Sequence, residues 1–352
     1  MSNVPDIDLV LLGHPSDFAH FRTIVEHNDG ARAAERVARN EATFRAFINW
    51  MPAYATQSVA GIELNGTCVR AALVICPFLP QDISTPRTLK AAYGKVIEGC
   101  RIASDMGAKV VALGGFTSIL AGSRRIEVAA EAGITLTSGN ALTAALAVEQ
   151  LRTALQTDGR ALENEIVAVL GASGDIGRTV VGLLDGIPRE ILLVAQNHDR
   201  LSEVRNAFGH LRMRIATAKE AVAEADAMIV ATSASHPVIS ASDLRPKMIV
   251  CDVGYPNSIF GTTKLDGAYV FRGGLAQLPH PVDMAVYTQL DQGDQLFGCF
   301  TEGIVLAARP DLHSLASLQG AADINRAHKL LAAAAQLGIV PFRPSRAVHS
   351  HD

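Results

Sequence analysis

An apolar run that ends in three spaced glycines is the feature that most constrains the fold of this chain. Residues 166–170 read Ile-Val-Ala-Val-Leu, and Gly171, Gly174 and Gly177 follow. The run is long enough for a buried parallel strand, and the glycines allow a sharp turn into a helix whose N-terminal N–H groups a diphosphate can approach. The spacing differs from the G-x-G-x-x-G of the standard dinucleotide fingerprint. The alternative interpretation is a glycine-rich turn in an α/β protein that binds no nucleotide.

Strand and helix patterns alternate from residue 166 to residue 271. This alternation predicts an α/β fold with a doubly wound parallel, Rossmann-like sheet and right-handed crossovers. The pair Asn65-Gly66 between two strand-like runs predicts a hairpin, and helical patterns cover 88–106, 295–308 and 315–337. We therefore expect three parts: an N-terminal α/β substrate domain (1–150), a dinucleotide-binding domain (151–280) and a C-terminal helical segment that carries Cys299 (281–352).

The composition limits the classes of partner. The chain has 352 residues, of which 49% are hydrophobic and 19% charged, and its net charge is −4. This charge predicts no basic surface, so nucleic acid is not an expected partner. No basic and apolar leader begins the sequence and no apolar run is long enough to span a bilayer, which predicts a cytoplasmic protein without stable membrane insertion. Five widely spaced cysteines without a C-x-x-C pair argue against a disulfide framework, and no metal site is predicted.

The candidate cofactor contacts lie in the glycine loop and after the neighbouring strands. In this fold the residue at the tip of the second strand meets the adenosine ribose, where an acid favours NAD and a nearby Arg accommodates the 2′-phosphate of NADP. Gln196 stands where the acid would be expected, and Arg200 is either the phosphate partner or a surface charge. The interpretation favours NADPH, with NADH as the alternative. The candidate residues are Gly171, Ser173, Gly174, Asp175, Ile176, Gly177, Gln196, Asn197, Arg200, Thr232, Ser233 and Gly254.

Cys299 is the second chemically informative residue. It directly follows Gly298 and has aromatic residues on both sides. Composition alone favours a buried cysteine that acts as a small hydrophobe. The carboxylates of Asp294 and Glu302 disfavour a thiolate, so a nucleophile here needs a helix N-terminus or a tertiary cation. His236 is a candidate acid or base, the alternative being an ordinary loop residue.

Seven short blocks, spread over most of the chain, carry a resemblance to a known family. They are Leu-Leu-Gly-His at 11–14, Cys-Pro-Phe-Leu-Pro at 76–80, Ala-Leu-Gly-Gly-Phe-Thr-Ser-Ile at 112–119, Thr-Ser-Gly-Asn-Ala-Leu-Thr-Ala at 137–144, Gly-Ala-Ser-Gly-Asp-Ile-Gly at 171–177, Gly-Tyr-Pro-Asn at 254–257 and Phe-Gly-Cys-Phe-Thr-Glu at 297–302. Together they resemble the cyanobacterial long-chain acyl-[acyl-carrier-protein] reductases, the aldehyde-forming enzymes of alkane synthesis.

The resemblance implies an NADPH-dependent reduction of an acyl thioester to a fatty aldehyde, with Cys299 as the nucleophile that forms an acyl-enzyme. The implied substrate is a thioester of acyl-carrier protein or of CoA. Backbone N–H groups and hydroxyls of residues 114–118 are candidate donors to the carbonyl oxygen, the alternative being a tight strand-to-helix turn. Lys95 matches a lysine of the family, although a solvated helix charge is the simpler interpretation. Two departures from the family are Gln196, where it has an Arg, and the inserted Pro77.

Two other functions remain open at this point. One is an oxidoreductase related to shikimate dehydrogenase or glutamyl-tRNA reductase, because the loops at 232–239 and 252–256 also resemble those groups. A shikimate-type enzyme would not need Cys299, and the N-terminal cysteine motif of glutamyl-tRNA reductase is not found. The other is a non-catalytic protein that senses NADP(H).

Overall fold

The fold is described from a computed structural model that covers residues 7–122, 133–208, 212–234, 238–255, 259–260, 267–317 and 323–344. The chain divides into two compact units. Unit 1 comprises residues 1–139, 277–319 and 332–340, and unit 2 comprises residues 140–276, 320–331 and 341–352. Residues 281–319, which the sequence assigned to a separate C-terminal segment, therefore cluster with the N-terminal part of the chain.

Unit 1 contains a five-stranded mixed sheet with the strand order β2-β3-β1-β4-β5. Its strands are β1 (Leu9–Gly13), β2 (Tyr54–Leu64), β3 (Thr67–Ile75), β4 (Val110–Leu113) and β5 (Thr135–Thr137). β2 and β3 form the predicted antiparallel hairpin, in which Gly66 takes a φ of 78° at the turn. β3, β1, β4 and β5 run parallel. The residues that follow β1, β4 and β5 therefore lie at one edge of the sheet.

One helix of unit 1 begins later than the sequence predicts. The helices are Phe18–Asp29, Ala31–Arg39, Glu41–Ile48, Pro86–Asp105, Phe116–Ala121, Ala285–Thr288 and Gly298–Ala308. The prediction for 88–106 is confirmed. The prediction for 295–308 is wrong at its start, because Gln295–Phe297 is a strand and the helix begins at Gly298. Gly303 lets this helix approach β4 closely, since a Cβ at Gly303 would lie 2.6 Å from the Ala112 Cβ.

Unit 2 contains a six-stranded sheet in the order β13-β11-β9-β6-β7-β8, and every pair in it is parallel. Its strands are β6 (Ile166–Leu170), β7 (Glu190–Val194), β8 (Met213–Ile215), β9 (Ala227–Val230), β11 (Ile249–Asp252) and β13 (Tyr269–Arg272). Numbered along the chain, this order is 6-5-4-1-2-3, the order of the doubly wound dinucleotide-binding fold. The predicted α/β, Rossmann-like class is confirmed.

The remaining elements are helices and short pieces. The helices of unit 2 are Asn140–Thr157, Asp175–Leu184, His198–Phe208 and Ala218–Glu224. The short strands are β10 (Ile239–Ser240), β12 (Ile259–Phe260), β14 (Leu275–Gln277), β15 (Gln295–Phe297) and β16 (Val340–Pro341). The prediction of one helix over 315–337 is wrong, because a 3₁₀ turn ends at Leu315 and the α-helix runs over Ile324–Gln336. Within the described ranges no helix combines the length and apolar character needed to cross a membrane.

Candidate functional site

The glycine loop of unit 2 is a tight turn that only glycine can make. Gly171 takes a φ of 81°, and a Cβ on it would lie 2.8 Å from the Ala231 carbonyl carbon and closer still to its oxygen. A Cβ on Gly177 would lie 2.7 Å from the Gly171 carbonyl carbon. The N–H groups of Gly171 and Ala172 both donate to the Val194 carbonyl, at 2.8 and 3.2 Å. The loop therefore sits directly between the ends of β6, β7 and β9.

The helix Asp175–Leu184 starts at this loop with its N-terminus uncapped by a side chain. Gly174 is its extended N-cap residue and is exposed. The first N–H groups of a helix have no partner within the helix, and their dipole favours anions. Ser173 and Ile176 are half-buried beside this end. Asp175 also lies there, and one of its carboxylate oxygens accepts a hydrogen bond of 3.2 Å from the Asn140 amide. The arrangement fits the diphosphate of a dinucleotide.

The ribose-side candidates follow β7 and are open to solvent. Gln196, Asn197 and Arg200 are all exposed. Asn197 also has a structural role, because its Oδ1 accepts a 3.0 Å hydrogen bond from the Arg200 N–H and so caps the helix His198–Phe208. The Arg200 guanidinium is thus carried on the first turn of that helix, beside the end of β7.

The other predicted cofactor residues lie at the same edge of the sheet. Thr232 and Ser233 follow β9, and Gly254 follows β11, where its N–H donates to Asp252 Oδ1 at 2.9 Å. Unit 2 therefore brings all twelve predicted cofactor residues to the carboxyl edge of one parallel sheet. His236 lies outside the described residues.

Cys299 lies in the first turn of the helix Gly298–Ala308 in unit 1 and is partly exposed. Burial of its thiol raises the pKa to about 11. The backbone at Gly115, Phe300 and Cys299 itself favours the charged sulfur and so lowers the pKa, whereas the nearby charge of Glu302 adds to the increase. The sulfur therefore lies at a helix N-terminus, which is one of the two environments that a nucleophile at this position needs.

The other four cysteines occupy different environments. Cys76, Cys100 and Cys251 are fully buried, and their pKa values are raised by burial. Cys68 is exposed in β3. None of these four lies in the first turn of a helix.

The loop after β5 packs directly against Cys299. Gly139 takes a φ of 67°, and a Cβ on it would lie 2.6 Å from the Cys299 carbonyl oxygen, 2.8 Å from its carbonyl carbon and closer still to its Cα. A side chain at Gly139 is therefore incompatible with the present position of the Cys299 backbone. Nothing local in the sequence indicates this contact, because the two residues are 160 positions apart in the chain.

A buried hydrogen-bond network ties this loop to the helix of Cys299. Glu302 is fully buried, and its Oε1 accepts from the Thr137 hydroxyl and, at 3.0 Å, from the Ser317 N–H. Thr137 Oγ1 accepts from the N–H groups of Gly139 and Ser317, each at 3.1 Å. The Ser138 hydroxyl and the Ser138 N–H both donate hydrogen bonds of 2.7 Å to the Ser317 carbonyl. From the sequence, Glu302 was predicted only as a charge near Cys299, and its hydrogen bonds to Thr137 and Ser317 were not predicted.

The segment 114–118 has fewer unoccupied backbone N–H groups than its sequence predicts. The N–H groups of Gly114, Thr117 and Ser118 donate to backbone carbonyls of the protein at 2.9, 3.2 and 3.2 Å. The Phe116 N–H donates to His14 Nε2 at 3.0 Å. Within this segment it is the backbone at Gly115 that favours the charged form of the Cys299 sulfur and so lowers its pKa.

His14 is a neutral ring held by two backbone groups. Its Nε2 accepts from Phe116, so its Nδ1 carries the proton and donates to the Pro15 carbonyl at 2.8 Å. Burial lowers its pKa to about 4. The ring stacks on Phe78 with centroids 4.7 Å apart. The residue thus orients the Gly115-Phe116 turn.

Lys95 is not the solvated charge that the sequence favoured. The side chain is buried, and its Nζ donates to the carbonyls of Ile48 and Pro77, each at 2.5 Å. Burial lowers its pKa to about 8. In this structure its partners are backbone carbonyls of unit 1.

As for metals, the described part of the chain contains no group of three or more His, Cys, Asp or Glu side chains able to hold an ion.

Comparison with known proteins links both units to reductases and dehydrogenases. The family model of shikimate/quinate 5-dehydrogenase matches residues 152–272. The chain is 29% identical over 268 residues to a long-chain acyl-[acyl-carrier-protein] reductase of Synechococcus elongatus, covering 72% of this chain and 77% of that protein.

Two further relatives are matched over smaller shares of their own length. A protein of Serratia named aminotransferase PigE is 29% identical over 222 residues, covering 60% of this chain and 26% of that protein. Glutamyl-tRNA reductase of Salinibacter ruber is 27% identical over 257 residues, covering 71% and 47%. The resemblance predicted from the sequence is therefore confirmed: the chain is similar to long-chain acyl-[acyl-carrier-protein] reductase and carries a segment like shikimate dehydrogenase.

Proposed function

We propose that this chain is an NAD(P)H-dependent reductase that converts an acyl thioester to an aldehyde through a thioester on Cys299. The names of its relatives support the broader class, an NAD(P)-dependent oxidoreductase. The observation that carries the finer proposal is the position of Cys299 in the first turn of a helix, where the backbone at Gly115 also favours the charged sulfur. A helix N-terminus and directed N–H groups are the features that stabilise a thiolate.

The cofactor we propose is NADPH, with NADH as the alternative. Ser173, Gly174 and Ile176 would hold its diphosphate at the uncapped helix N-terminus, because the loop leaves that end open. Gln196 and Arg200 would lie beside the adenosine ribose, and Arg200 offers a cation for a 2′-phosphate. When bound, the reduced nicotinamide supplies the hydride that turns the thioester into an aldehyde.

The residues of the chain account for the acyl transfer and for the release of product. The Cys299 sulfur attacks the carbonyl carbon of the substrate and forms a new C–S bond as the C–S bond to the carrier breaks. The proton that the Cys299 thiol gives up balances the proton that the carrier takes as it departs as a thiol. After reduction that C–S bond breaks, the aldehyde leaves, and negative charge returns to the sulfur. The backbone at Gly115, Phe300 and Cys299 lowers the energy of this charge in both steps.

The pKa of Cys299 adds a kinetic consequence. At about 11 it leaves roughly one thiol in ten thousand ionised at pH 7. We expect acyl transfer to become faster as the pH rises towards this value, because the fraction of thiolate increases.

Substitution of the nucleophile tests the proposal. Cys299→Ala and Cys299→Ser should each reduce acyl-dependent NADPH oxidation by about three orders of magnitude or more, as loss of a covalent nucleophile does in other enzymes. Cys68→Ser, which changes an exposed cysteine outside the site, is the matched control. An acyl adduct on the Cys299 peptide in mass spectrometry would support the proposal, and unchanged turnover of Cys299→Ala would refute it.

The carrier of the acyl group is part of the same proposal. The acyl-carrier-protein reductase relative supports an acyl-carrier-protein thioester as the substrate. A panel of acyl thioesters of graded length, attached to acyl-carrier protein or to CoA and assayed with each nicotinamide cofactor, tests this choice. A higher kcat/KM for the CoA series would reverse it.

A further inference from the structure

We infer that Thr137 and Glu302 are positioning residues for Cys299, because together they fix the loop against which the Cys299 backbone packs. The inference rests on the proposed function of Cys299 as the nucleophile. The hydrogen bonds that carry the inference join Thr137 and Glu302 to Gly139 and Ser317. Their effect passes through Gly139, so it concerns where the sulfur is held and not which group reacts.

The Thr137 hydroxyl has one possible orientation. A hydroxyl offers one donor and two acceptor positions. Its proton goes to Glu302 Oε1, and its oxygen accepts from the N–H groups of Gly139 and Ser317, each at 3.1 Å. All three positions are used, so the hydroxyl connects the helix of Cys299 with the loop after β5. Serine preserves this connection, whereas valine keeps the shape of the side chain and removes every bond.

Glu302 supplies the helix side of the connection. It lies three residues after Cys299 in the helix Gly298–Ala308, about one helical turn further along, and it is fully buried. Its charge raises the pKa of Cys299 and so acts against the thiolate. A buried carboxyl group is also costly unless it is hydrogen-bonded. Because the electrostatic effect is unfavourable for a nucleophile, the contribution of Glu302 to the site is geometric.

Gly139 transmits this geometry to the sulfur. Its N–H is bound by Thr137 Oγ1, and its Cα lies in contact with the Cys299 backbone without space for a Cβ. Displacement of the loop therefore displaces Cys299 or opens a gap beside it. A shift of about 1 Å in a reacting group can cost about a hundredfold in rate.

A pair of substitutions at Thr137 tests the inference in the full chain. Thr137→Val should lower kcat with an acyl thioester by about a hundredfold and leave KM for NADPH unchanged, and Thr137→Ser should stay within about threefold of the parent protein. In parallel, the rate at which iodoacetamide alkylates Cys299 is measured by peptide mass spectrometry, with exposed Cys68 as the reference thiol in the same chain. The Cys299/Cys68 rate ratio should change severalfold in Thr137→Val and remain unchanged in Thr137→Ser.

Glu302→Gln provides a second, independent measurement. The amide oxygen of Gln keeps an acceptor for Thr137, whereas Glu302→Leu removes it, so the Cys299/Cys68 alkylation ratio should stay near the parental value in Glu302→Gln and change severalfold in Glu302→Leu. Equal ratios in these two variants overturn the role of Glu302, and the comparison decides the matter if Thr137→Val does not fold. Parental kcat and alkylation in Thr137→Val, or equal losses in Thr137→Ser, overturn the role of Thr137. The alkylation readout needs no substrate, so it remains decisive even where turnover by Cys299→Ala shows the proposed function to be wrong.

Discussion

Replacing Gly139 by alanine tests most directly how Cys299, the proposed nucleophile, is held. The new Cβ would lie 2.6 Å from the Cys299 carbonyl oxygen, whereas ordinary van der Waals contact begins at 3.4 Å. That separation must grow by at least 0.8 Å, the difference between the two values. Because the helix of Cys299 is seated closely on β4 through Gly303, we expect the loop and the first helical turn to separate by about 1 Å.

The cost of this change has two parts. An L-residue in the left-handed region costs about 1–2 kcal/mol, and overpacking of a dense site costs about 1–3 kcal/mol. The expected loss of unfolding free energy is therefore about 2–5 kcal/mol. A displacement of about 1 Å at Cys299 should also lower kcat by about a hundredfold.

Gly133→Ala separates the two parts. Gly133 has a φ of 65°, close to the 67° of Gly139, but a Cβ there would meet nothing within 4 Å. This control should lose only the backbone part of about 1–2 kcal/mol and keep its turnover. The measurements are urea unfolding and acyl-dependent NADPH oxidation. Equal stability and equal turnover of the two variants would refute the steric argument.

Three further predictions concern titration and cofactor binding. Alkylation of Cys299 should become about tenfold faster with each pH unit from 7 to 10, because the pKa of its thiol is about 11; a plateau below pH 9 would contradict this assignment. The pKa of His14 is lowered from 6.5 to about 4, so its neutral form stabilises the fold above pH 6.5 and about 3 kcal/mol is lost as the pH falls through 4. Urea unfolding at pH 7 and pH 4 should show this loss in the parent protein and a smaller one in His14→Gln. Gly177→Ala should abolish NADPH binding, followed by nicotinamide fluorescence, because its Cβ would strike the Gly171 backbone, whereas Gly94→Ala, with open space around it, should bind normally.

Local patterns were sufficient to predict the Rossmann-like sheet of unit 2. The apolar run at 166–170 and the glycines after it form β6 and its tight turn, and the alternation downstream gives the parallel sheet. These signals are short-range, since strand, turn and helix each leave their own period in the sequence. The residues predicted for the cofactor meet at one edge because parallel strands end on the same side.

The start of the Cys299 helix could not be predicted in the same way. Its N-cap residue is Phe297, whose side chain makes no capping hydrogen bond. Ser, Thr, Asp or Asn at this position would mark the start, but here the apolar pattern continues from strand into helix. The sequence therefore predicted a helix from Gln295 and placed Cys299 in its second turn, without the N-terminal environment that the structure gives it.

Burial and long-range partners account for the remaining differences. Lys95 looks like a surface charge in a helical pattern, but it is buried against carbonyls of Ile48 and Pro77, 47 and 18 positions away in the chain. Glu302 meets Thr137 across 165 positions. Contacts of this kind depend on which elements pack together, and no local period records them.

The division of the chain has a consequence for how the protein is made. Unit 1 uses residues 1–139 and then 277–319, so a ribosome completes the main sheet of unit 2 before it delivers Cys299. Domains generally fold during synthesis from the N-terminus onward. The first 139 residues must therefore wait, with the part of their sheet against which the Cys299 helix packs still uncovered, while some 137 residues of the inserted unit emerge. A nascent chain at that stage contains the glycine loop of unit 2 but not yet Cys299, so that loop can fold before the thiol has been added to the chain.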